Sequence, residues 1–223
     1  MVALTGAGIS AESGIPTFRG QGGLWRRYRA EELATPEAFA RDPKLVWEWY
    51  DWRRGLIAGA RPNPGHRALA ELEARSRAFT LVTQNVDGLH RAAGSRNVIH
   101  LHGDIWTLRC TRCGAEREDR SVPLAELPPH CPCGGLERPG VVWFGEALPE
   151  GAFERAVREV ELADVVLVIG TSAVVWPAAG LGAVALRAGV PVIEVNPEAT
   201  GYSAVVLSIR GKAGEVLPRI VGG

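Results

Sequence analysis

The sequence predicts an α/β fold, with helices around a parallel β-sheet and a small cysteine-containing module set into it. Residues 165–169 and 190–196 are apolar runs of strand length, and an Ala-rich helical segment separates them. A strand, a helix and a second strand in this order form a βαβ unit, which makes the two strands parallel. Four cysteines in two close pairs, between residues 110 and 133, indicate the separate module.

The composition is that of a globular protein without a bias towards a charged partner. The chain has 223 residues, 46% of them hydrophobic, and its 25 Lys and Arg residues balance 25 Asp and Glu residues. Zero net charge gives no general attraction to nucleic acid or acidic membranes. The sequence shows neither a secretory signal nor an apolar run long enough to span a bilayer. We therefore expect a cytoplasmic protein with no nucleic-acid or membrane partner.

The first predicted strand, residues 2–5, is short and runs into the turn Gly6-Ala7-Gly8. Glycines after a strand allow backbone N–H groups to approach a pyrophosphate, so this turn is a candidate phosphate-binding site. The common dinucleotide fingerprint has its third glycine three residues further on, whereas Gly14 follows Gly8 by six. Taken alone, a Gly-x-Gly turn is more often a tight bend than a cofactor site.

Residues from about 31 to 77 are predicted to be helical. Thr35 followed by Pro36 is typical of a helix start, as is Pro43, and residues 63–65 interrupt the helical pattern. Two more strands, residues 79–83 and 98–103, follow this segment.

Polar residues cluster where the predicted strands end. Parallel strands place their carboxyl ends at one edge of the sheet, and ligands bind there in such folds. This edge is expected to bring together Gly6, Gln84, Gly170 and Asn196. His102, at another strand end, could act as a general base, although a single histidine is more often structural.

The cysteines have the spacing of a metal site. Two residues separate Cys110 from Cys113 and one separates Cys131 from Cys133, with 17 residues between the pairs. Four thiolates match tetrahedral zinc, and they leave no open position for a catalytic water, so the zinc would be structural. The alternative is two disulfides or free buried thiols. A module of this size has little core, so metal binding should supply much of its folding free energy.

Taken together, these motifs resemble the sirtuin family of NAD-dependent protein-lysine deacylases over nearly the whole chain. The resemblance is carried by residues 6–10, 14–19, 83–90, 102–103, 143–146, 170–172 and 196–197 and by the four cysteines. In the zinc module the second cysteine pair departs from the family pattern, because it has one spacer residue where two are usual.

The resemblance implies a Rossmann-like NAD-binding domain over residues 1–101 and 142–223, with the helical insertion at about 31–77. Residues 102–141 would form a zinc-ribbon module. NAD and an acyl-lysine would enter the cleft between them from opposite sides. By similarity, the residues that bind NAD are Gly6, Ala7, Gly8, Ile9, Phe18, Arg19, Gln84, Asn85, Asp87, Gly170, Thr171, Ser172, Asn196, Pro197, Glu198 and Ala213.

The resemblance also implies a mechanism. The acyl amide oxygen attacks C1′ of the nicotinamide ribose and expels nicotinamide, and His102 deprotonates a ribose hydroxyl that then attacks the amidate carbon. The products are free lysine and O-acyl-ADP-ribose. Asn85 and Asp87 would orient the ribose and the nicotinamide, although both could simply cap the turn. The substrate peptide would pair as an added strand with Val142, Trp143, Phe144 and Gly145, of which Phe144 could equally be core.

Tyr50 and Arg53 indicate which acyl group is removed. They lie three residues apart on a predicted helix, so they share a face and could hold a carboxylate together. Taken alone, they describe a solvated helix face. In class III sirtuins, which this segment resembles, the small residue corresponding to Ala34 widens the pocket and the Tyr and Arg bind the carboxylate of succinyl and malonyl groups. We therefore expect removal of acidic acyl groups and weaker deacetylation.

Three alternatives remain at this stage. The protein could be a general protein deacetylase, or it could transfer ADP-ribose to protein or hydrolyse NAD. It could also be an inactive NAD-sensing module. The presence of His102 and of the peptide-pairing segment argues against ADP-ribosyl transfer, and no reacting group is missing from the sequence, which argues against an inactive module.

Overall fold

The computed structural model describes residues 1–17, 24–25, 28–204 and 206–222. In this part of the chain the strands are β1 (Val2–Thr5), β2 (Leu24–Trp25), β3 (Tyr28–Arg29), β4 (Thr80–Thr83), β5 (Val98–His100), β6 (Gly103–Cys110), β7 (Glu116–Glu118), β8 (Glu137–Val141), β9 (Val166–Ile169), β10 (Val192–Asn196) and β11 (Leu207–Arg210). The helices are α1 (Ala7–Ala11), α2 (Ala30–Leu33), α3 (Pro36–Arg41), α4 (Pro43–Gly59), α5 (Pro64–Arg75), α6 (Leu89–Ala92), α7 (Ala152–Glu161), α8 (Gly180–Arg187) and α9 (Ala213–Val221).

The main sheet is parallel, which confirms the predicted fold class. Its six strands lie in the order β11, β10, β9, β1, β4 and β5, and every neighbouring pair runs in the same direction. The short strand β1 is central, with Val2 opposite Thr80 on one side and Val166 on the other. Strand β11 was not predicted; Leu207 at its start is 63% exposed, so it lacks the apolar run of a buried strand.

Helices cover both faces of the sheet. Successive residues of a strand point to opposite faces, so each buried strand contributes to two cores. On one face Val2 and Leu4 belong to a core with α7 and α8. On the other face Ala3 belongs to a core with α5 and α9. Burial of a Val or Leu side chain contributes roughly 1.5–3 kcal/mol, so this two-sided packing is the main stabilising feature of the sheet.

The cysteine-containing module is a three-stranded antiparallel sheet in the order β7, β6 and β8. A third core joins it to the helices α2 to α4. In this core Trp47 and Trp49 of α4 pack with Ile105 and Leu108 of β6, and each of these side chains is at most 1% exposed. The module therefore shares its apolar core with the helical segment and not with the main sheet.

Arg54 also connects α4 to the module. Its side chain is fully buried, and Nη2 donates to the carbonyl oxygens of Asp119 at 2.6 Å and Ser121 at 3.1 Å. Helix α5 lies within the predicted insertion at about 31–77, but it packs against α9 on the main sheet. The insertion is thus divided between two cores, because the apolar faces of α4 and α5 contact different partners.

Three helices begin at the predicted signals. A proline is the first residue of α3, α4 and α5, where the missing N–H has no helical partner to lose. The residue before each proline caps the helix: the Thr35 hydroxyl accepts from the Ala38 N–H at 3.1 Å, and Asp42 accepts from the Leu45 N–H at 2.9 Å. Among the residues described, none of the helices combines the length and the hydropathy needed to cross a bilayer.

Candidate functional site

A cavity of about 450 Å³ opens at the carboxyl edge of the main sheet. One side, the sheet wall, consists of the lining residues that follow β1, β4, β9 and β10. A second side, here called the helix wall, consists of Ala34, Tyr50, Arg53 and residues 142–145. The predicted site residues that line the cavity are Gly6, Ala7, Gly8, Ala34, Tyr50, Arg53, Gln84, Asn85, His102, Val142, Trp143, Phe144, Gly145, Gly170, Thr171, Ser172, Asn196, Pro197 and Glu198.

Apart from the four cysteines, five predicted site residues are not among those lining residues. Phe18 and Arg19 lie outside the described residues. Ile9 and Ala213 are buried in the core beneath the sheet wall, with exposures of 0% and 4%. Asp87 is 7% exposed and lies in the hydrogen-bond network below the cavity.

The segment Gly6-Ala7-Gly8 is the part of the sheet wall that follows β1. The Gly8 N–H donates to the Gly170 carbonyl oxygen at 2.7 Å, which holds the ends of β1 and β9 together. A Cβ atom on Gly8 would lie 2.7 Å from that oxygen, and one on Gly6 would lie 2.8 Å from Cβ of Thr171. Only glycine allows this approach. Because Gly6 is the N-cap of α1 and Ala7 and Gly8 begin that helix, the predicted turn is a strand-to-helix junction that also lines the cavity.

His102 is held by the end of β4. Its Nδ1 lies 3.1 Å from the carbonyl oxygen of Gln84. Because a carbonyl can only accept, Nδ1 carries the proton, and Nε2 retains its lone pair. Burial lowers the pKa of His102 below its usual 6.5, and the bond to Gln84 opposes this only in part. At neutral pH the imidazole is therefore uncharged and able to accept a proton at Nε2.

A buried polar network supports the cavity from below. The Asn85 amide donates to the Gly6 carbonyl oxygen at 3.0 Å and to the Ser10 hydroxyl at 3.1 Å. The Ser10 hydroxyl in turn donates to Asp87 at 2.7 Å, and His66 Nε2 lies 3.4 Å from the same hydroxyl. Burial raises the pKa of Asp87, although the bonds from the Leu89 N–H and from Ser10 stabilise its charged form. The network fixes the position of Asn85 on the sheet wall.

Tyr50 and Arg53 line the helix wall together, as their spacing predicts. The Tyr50 side chain is buried, and its oxygen accepts a hydrogen bond from Trp143 Nε1 at 2.9 Å. Burial raises the pKa of Tyr50, so the phenol keeps its proton. The Arg53 guanidinium lies 5.2 Å from the centre of the Trp49 ring, a cation–π contact that orients it.

Phe144 lies at the rim of the cavity. Its side chain is 44% exposed, which excludes the alternative that it is a core residue. Its backbone N–H donates to the Ala34 carbonyl oxygen at 2.9 Å. Within the helix wall, this bond joins the predicted peptide-pairing segment to Ala34.

The four cysteines form one cluster. All four Sγ atoms lie within 4.8 Å of one another. The Sγ atoms of Cys110 and Cys133 are 3.5 Å apart, and those of Cys113 and Cys131 are 3.8 Å apart. Tetrahedral zinc with Zn–S bonds of about 2.3 Å places its sulfurs about 3.8 Å apart, so this arrangement fits Zn²⁺ despite the single spacer residue.

Backbone donors favour the thiolate form of Cys110. The N–H groups of Cys113 and Arg112 point at its Sγ at 3.5 and 3.4 Å. These bonds, with that from Cys113 the largest contribution, lower the pKa of Cys110 to about 6. A thiolate is the form that binds a metal.

Comparisons with known proteins agree with this geometry. The family model described as the Sir2 family matches residues 6–177. A curated relative from Pyrobaculum aerophilum, named NAD-dependent protein deacylase 2, is 58% identical over 222 residues, covering 99% of this chain and 89% of the relative. The chain belongs to the Sir2 family.

Solved Sir2 structures share the fold. A Sir2 homologue in complex with NAD matches with a TM-score of 0.94 and 56% identity, over 99% of this chain and 87% of that one. A mutant Sir2 homologue in complex with 2′-O-acetyl ADP ribose matches with a TM-score of 0.95 and 56% identity, over 99% and 90%.

The cavity of this Sir2 protein also contains residues to which the sequence assigned no role. They are Thr17, Glu31, Val86, Val141, Glu146, Leu148, Val175, Trp176, Pro177, Ala199 and Thr200. Trp176 is 74% exposed, although it lies in a segment that the sequence predicts to be helical. In the sequence, the only indication of a role for Trp176 is that a large aromatic side chain follows the polar residues at the end of β9. Ser10 was also given no role, because its contacts with Asn85 and Asp87 depend on the fold.

Proposed function

We propose that this Sir2-family protein is an NAD-dependent protein-lysine deacylase that prefers acidic acyl groups. One observation carries the proposal: His102, uncharged and with no described residue bonded to its Nε2, lies in a cavity shared by the sheet wall and the helix wall. A base at this position can serve a ligand on one wall and a substrate on the other.

The sheet wall suits a dinucleotide. Gly6, Gly8 and Gly170 line it without side chains, so a ligand such as a pyrophosphate can lie close to the backbone there. Thr171, Ser172 and Asn196 would offer hydroxyl and amide groups at the neighbouring strand ends. When bound, NAD would supply the ribose carbon from which nicotinamide departs and the ribose hydroxyl that accepts the acyl group.

The residues of the chain would have separate tasks. His102 would accept the ribose hydroxyl proton at Nε2 and keep its Nδ1 proton on the Gln84 carbonyl oxygen. Asn85 would orient the nicotinamide end, because the Ser10 bond and the Gly6 bond fix its amide. Residues 142–145 would pair with the substrate backbone, which allows many peptide sequences to bind.

The acyl preference follows from the polar groups of the helix wall. Arg53 brings a positive charge, and Tyr50 a protonated phenol, to the helix wall, whose other residues are Ala34 and the apolar segment 142–145. Arginine donors that face an apolar acyl group lack an anionic acceptor from the substrate, whereas a succinyl or malonyl carboxylate would accept from both residues.

The reaction itself is tested by its product. We expect O-succinyl-ADP-ribose, nicotinamide and free lysine, detected by mass spectrometry, from a succinyl-lysine peptide only when NAD is supplied. Free ADP-ribose or ADP-ribosylated protein as the main product would instead indicate hydrolysis or transfer. Turnover without NAD would contradict the proposal.

Arg53→Met tests the acyl preference. Loss of a charge-assisted hydrogen bond, about 1.5–3 kcal/mol, should lower the succinyl-to-acetyl ratio of kcat/KM by roughly tenfold to a hundredfold. The measurement uses two peptides that differ only in the acyl group. Arg61→Met, an exposed arginine just beyond the end of α4, is the matched control and should leave the ratio unchanged. A wild-type preference for acetyl would show that the assignment to acidic acyl groups is wrong.

We also infer a cytoplasmic setting. Four cysteines arranged as a metal cluster, with no disulfide between them, suit a reducing compartment.

A further inference from the structure

Trp143 connects the zinc module to the helix wall through its side chain. It lies two residues after β8, and its indole N–H donates to the Tyr50 hydroxyl oxygen at 2.9 Å. Both side chains are nearly buried, at 3% and 4% exposure. A hydrogen bond so shielded from water has no competing partner in solvent.

This bond determines the direction of the Tyr50 proton. An indole N–H can only donate, so the Tyr50 oxygen must be the acceptor in the pair. The hydroxyl proton then has to point away from Trp143. Tyr50 and Arg53 both line the cavity, which is where we place the carboxylate of an acidic acyl group.

Several contacts fix the indole ring itself. The Arg138 guanidinium lies 3.4 Å from the ring centre, and the Phe39 ring centre is 5.3 Å away. Arg138 donates to both carboxylate oxygens of Glu146, at 2.5 and 2.8 Å. Glu146 also accepts the backbone N–H of Trp143 at 2.8 Å. The ring contacts of Arg138 and Phe39, together with the backbone bond to Glu146, therefore hold the indole in one orientation.

We propose that Trp143 is a positioning residue for acyl selectivity, because its indole N–H keeps the Tyr50 hydroxyl as a donor towards the carboxylate of an acidic acyl group. This side-chain role is separate from backbone pairing by residues 142–145, and it rests on the acyl preference proposed above. Without the indole donor, the Tyr50 hydroxyl is free to rotate, and part of its population no longer faces the carboxylate.

The test is a double-mutant cycle with Trp143→Phe, which keeps an aromatic ring but removes the donor, and Tyr50→Phe, which removes the hydroxyl. Tyr50→Phe should lower the succinyl-to-acetyl ratio of kcat/KM by about tenfold and Trp143→Phe by a smaller factor, in both cases through KM for the succinyl peptide more than through kcat. The double variant should lose little more than Tyr50→Phe alone, because Trp143 acts only through the Tyr50 hydroxyl.

Two results would overturn the proposal. In the first, Trp143→Phe lowers turnover of succinyl and acetyl peptides by the same factor, which is what a purely structural role predicts. In the second, the two single effects add in the double variant. If Trp143→Phe fails to fold, Arg138→Gln provides the same test, since it removes the contact that holds the indole face; an unchanged ratio in that variant contradicts the proposal.

The wild-type protein separates this proposal from the one on which it rests. A wild-type ratio that does not favour succinyl rejects the acyl preference, and the role of Trp143 with it. A wild-type ratio that favours succinyl and survives Trp143→Phe rejects the role of Trp143 alone.

Discussion

Replacing His102 with alanine is expected to lower turnover of an acylated peptide by about 10²- to 10⁴-fold, the usual contribution of a general base. Its Nε2 is the free basic nitrogen of a side chain that lines the cavity and is held by Gln84. Turnover is measured by the release of nicotinamide and of O-acyl-ADP-ribose under saturating NAD and peptide.

His102→Asn is the matched variant. The asparagine amide can still donate to the Gln84 carbonyl oxygen, but it has no basic nitrogen to offer the cavity. We therefore expect it to be as slow as the alanine variant while unfolding at the same temperature as the wild type. Wild-type turnover in either variant would contradict the assigned role.

The pH profile gives an independent readout of the same group. The base acts when it is uncharged, and burial places the pKa of His102 below 6.5. The wild-type kcat/KM should therefore be constant near pH 7 and fall as pH decreases through that lowered pKa. This acidic limb should be absent from the residual activity of His102→Asn.

Removal of the zinc ligands is the second change with a large expected effect. Cys131→Ser should abolish zinc binding and unfold the part of the module that carries the cysteines, because metal binding supplies folding free energy where a small module has little core of its own. Strand β8 leads directly to residues 142–145, so peptide turnover should fall by about tenfold or more. Zinc content by elemental analysis, thermal unfolding and peptide turnover measure these three effects.

Arg109→Ala is the control for this change. Arg109 lies on β6 of the same module with its side chain 59% exposed, and its ion pair with Glu116 spans 4.0 Å at the surface. Exposed pairs of this kind contribute little to stability, so zinc content and turnover should be retained. Full zinc occupancy in Cys131→Ser would show that the cluster is not the metal site.

The sequence predicts those features that depend on neighbouring residues. The apolar runs locate β1, β4, β9 and β10, and their polar ends converge at one sheet edge because all four strands are parallel. The cysteine spacing likewise identifies the zinc ligands, since two short turns bring four sulfurs together.

The remaining features depend on contacts between distant parts of the chain. The Ser10 to Asp87 bond joins residues 77 positions apart, and the Trp143 to Tyr50 bond joins residues 93 apart. No local pattern encodes such pairs. The sequence also does not predict that α5 packs in a different core from α4. Both helices have the periodicity of an ordinary amphipathic helix, and that pattern does not specify the partner.

The three apolar cores have a consequence for how such proteins diverge. The predicted cofactor residues that follow β1, β9 and β10 lie at the ends of strands that form the two cores of the main sheet, whereas Tyr50 belongs to the third core. A substitution that reshapes the acyl end therefore leaves the packing beneath the chemistry intact. We therefore expect related proteins to differ at the acyl end through changes within the third core, with the packing of the main sheet retained.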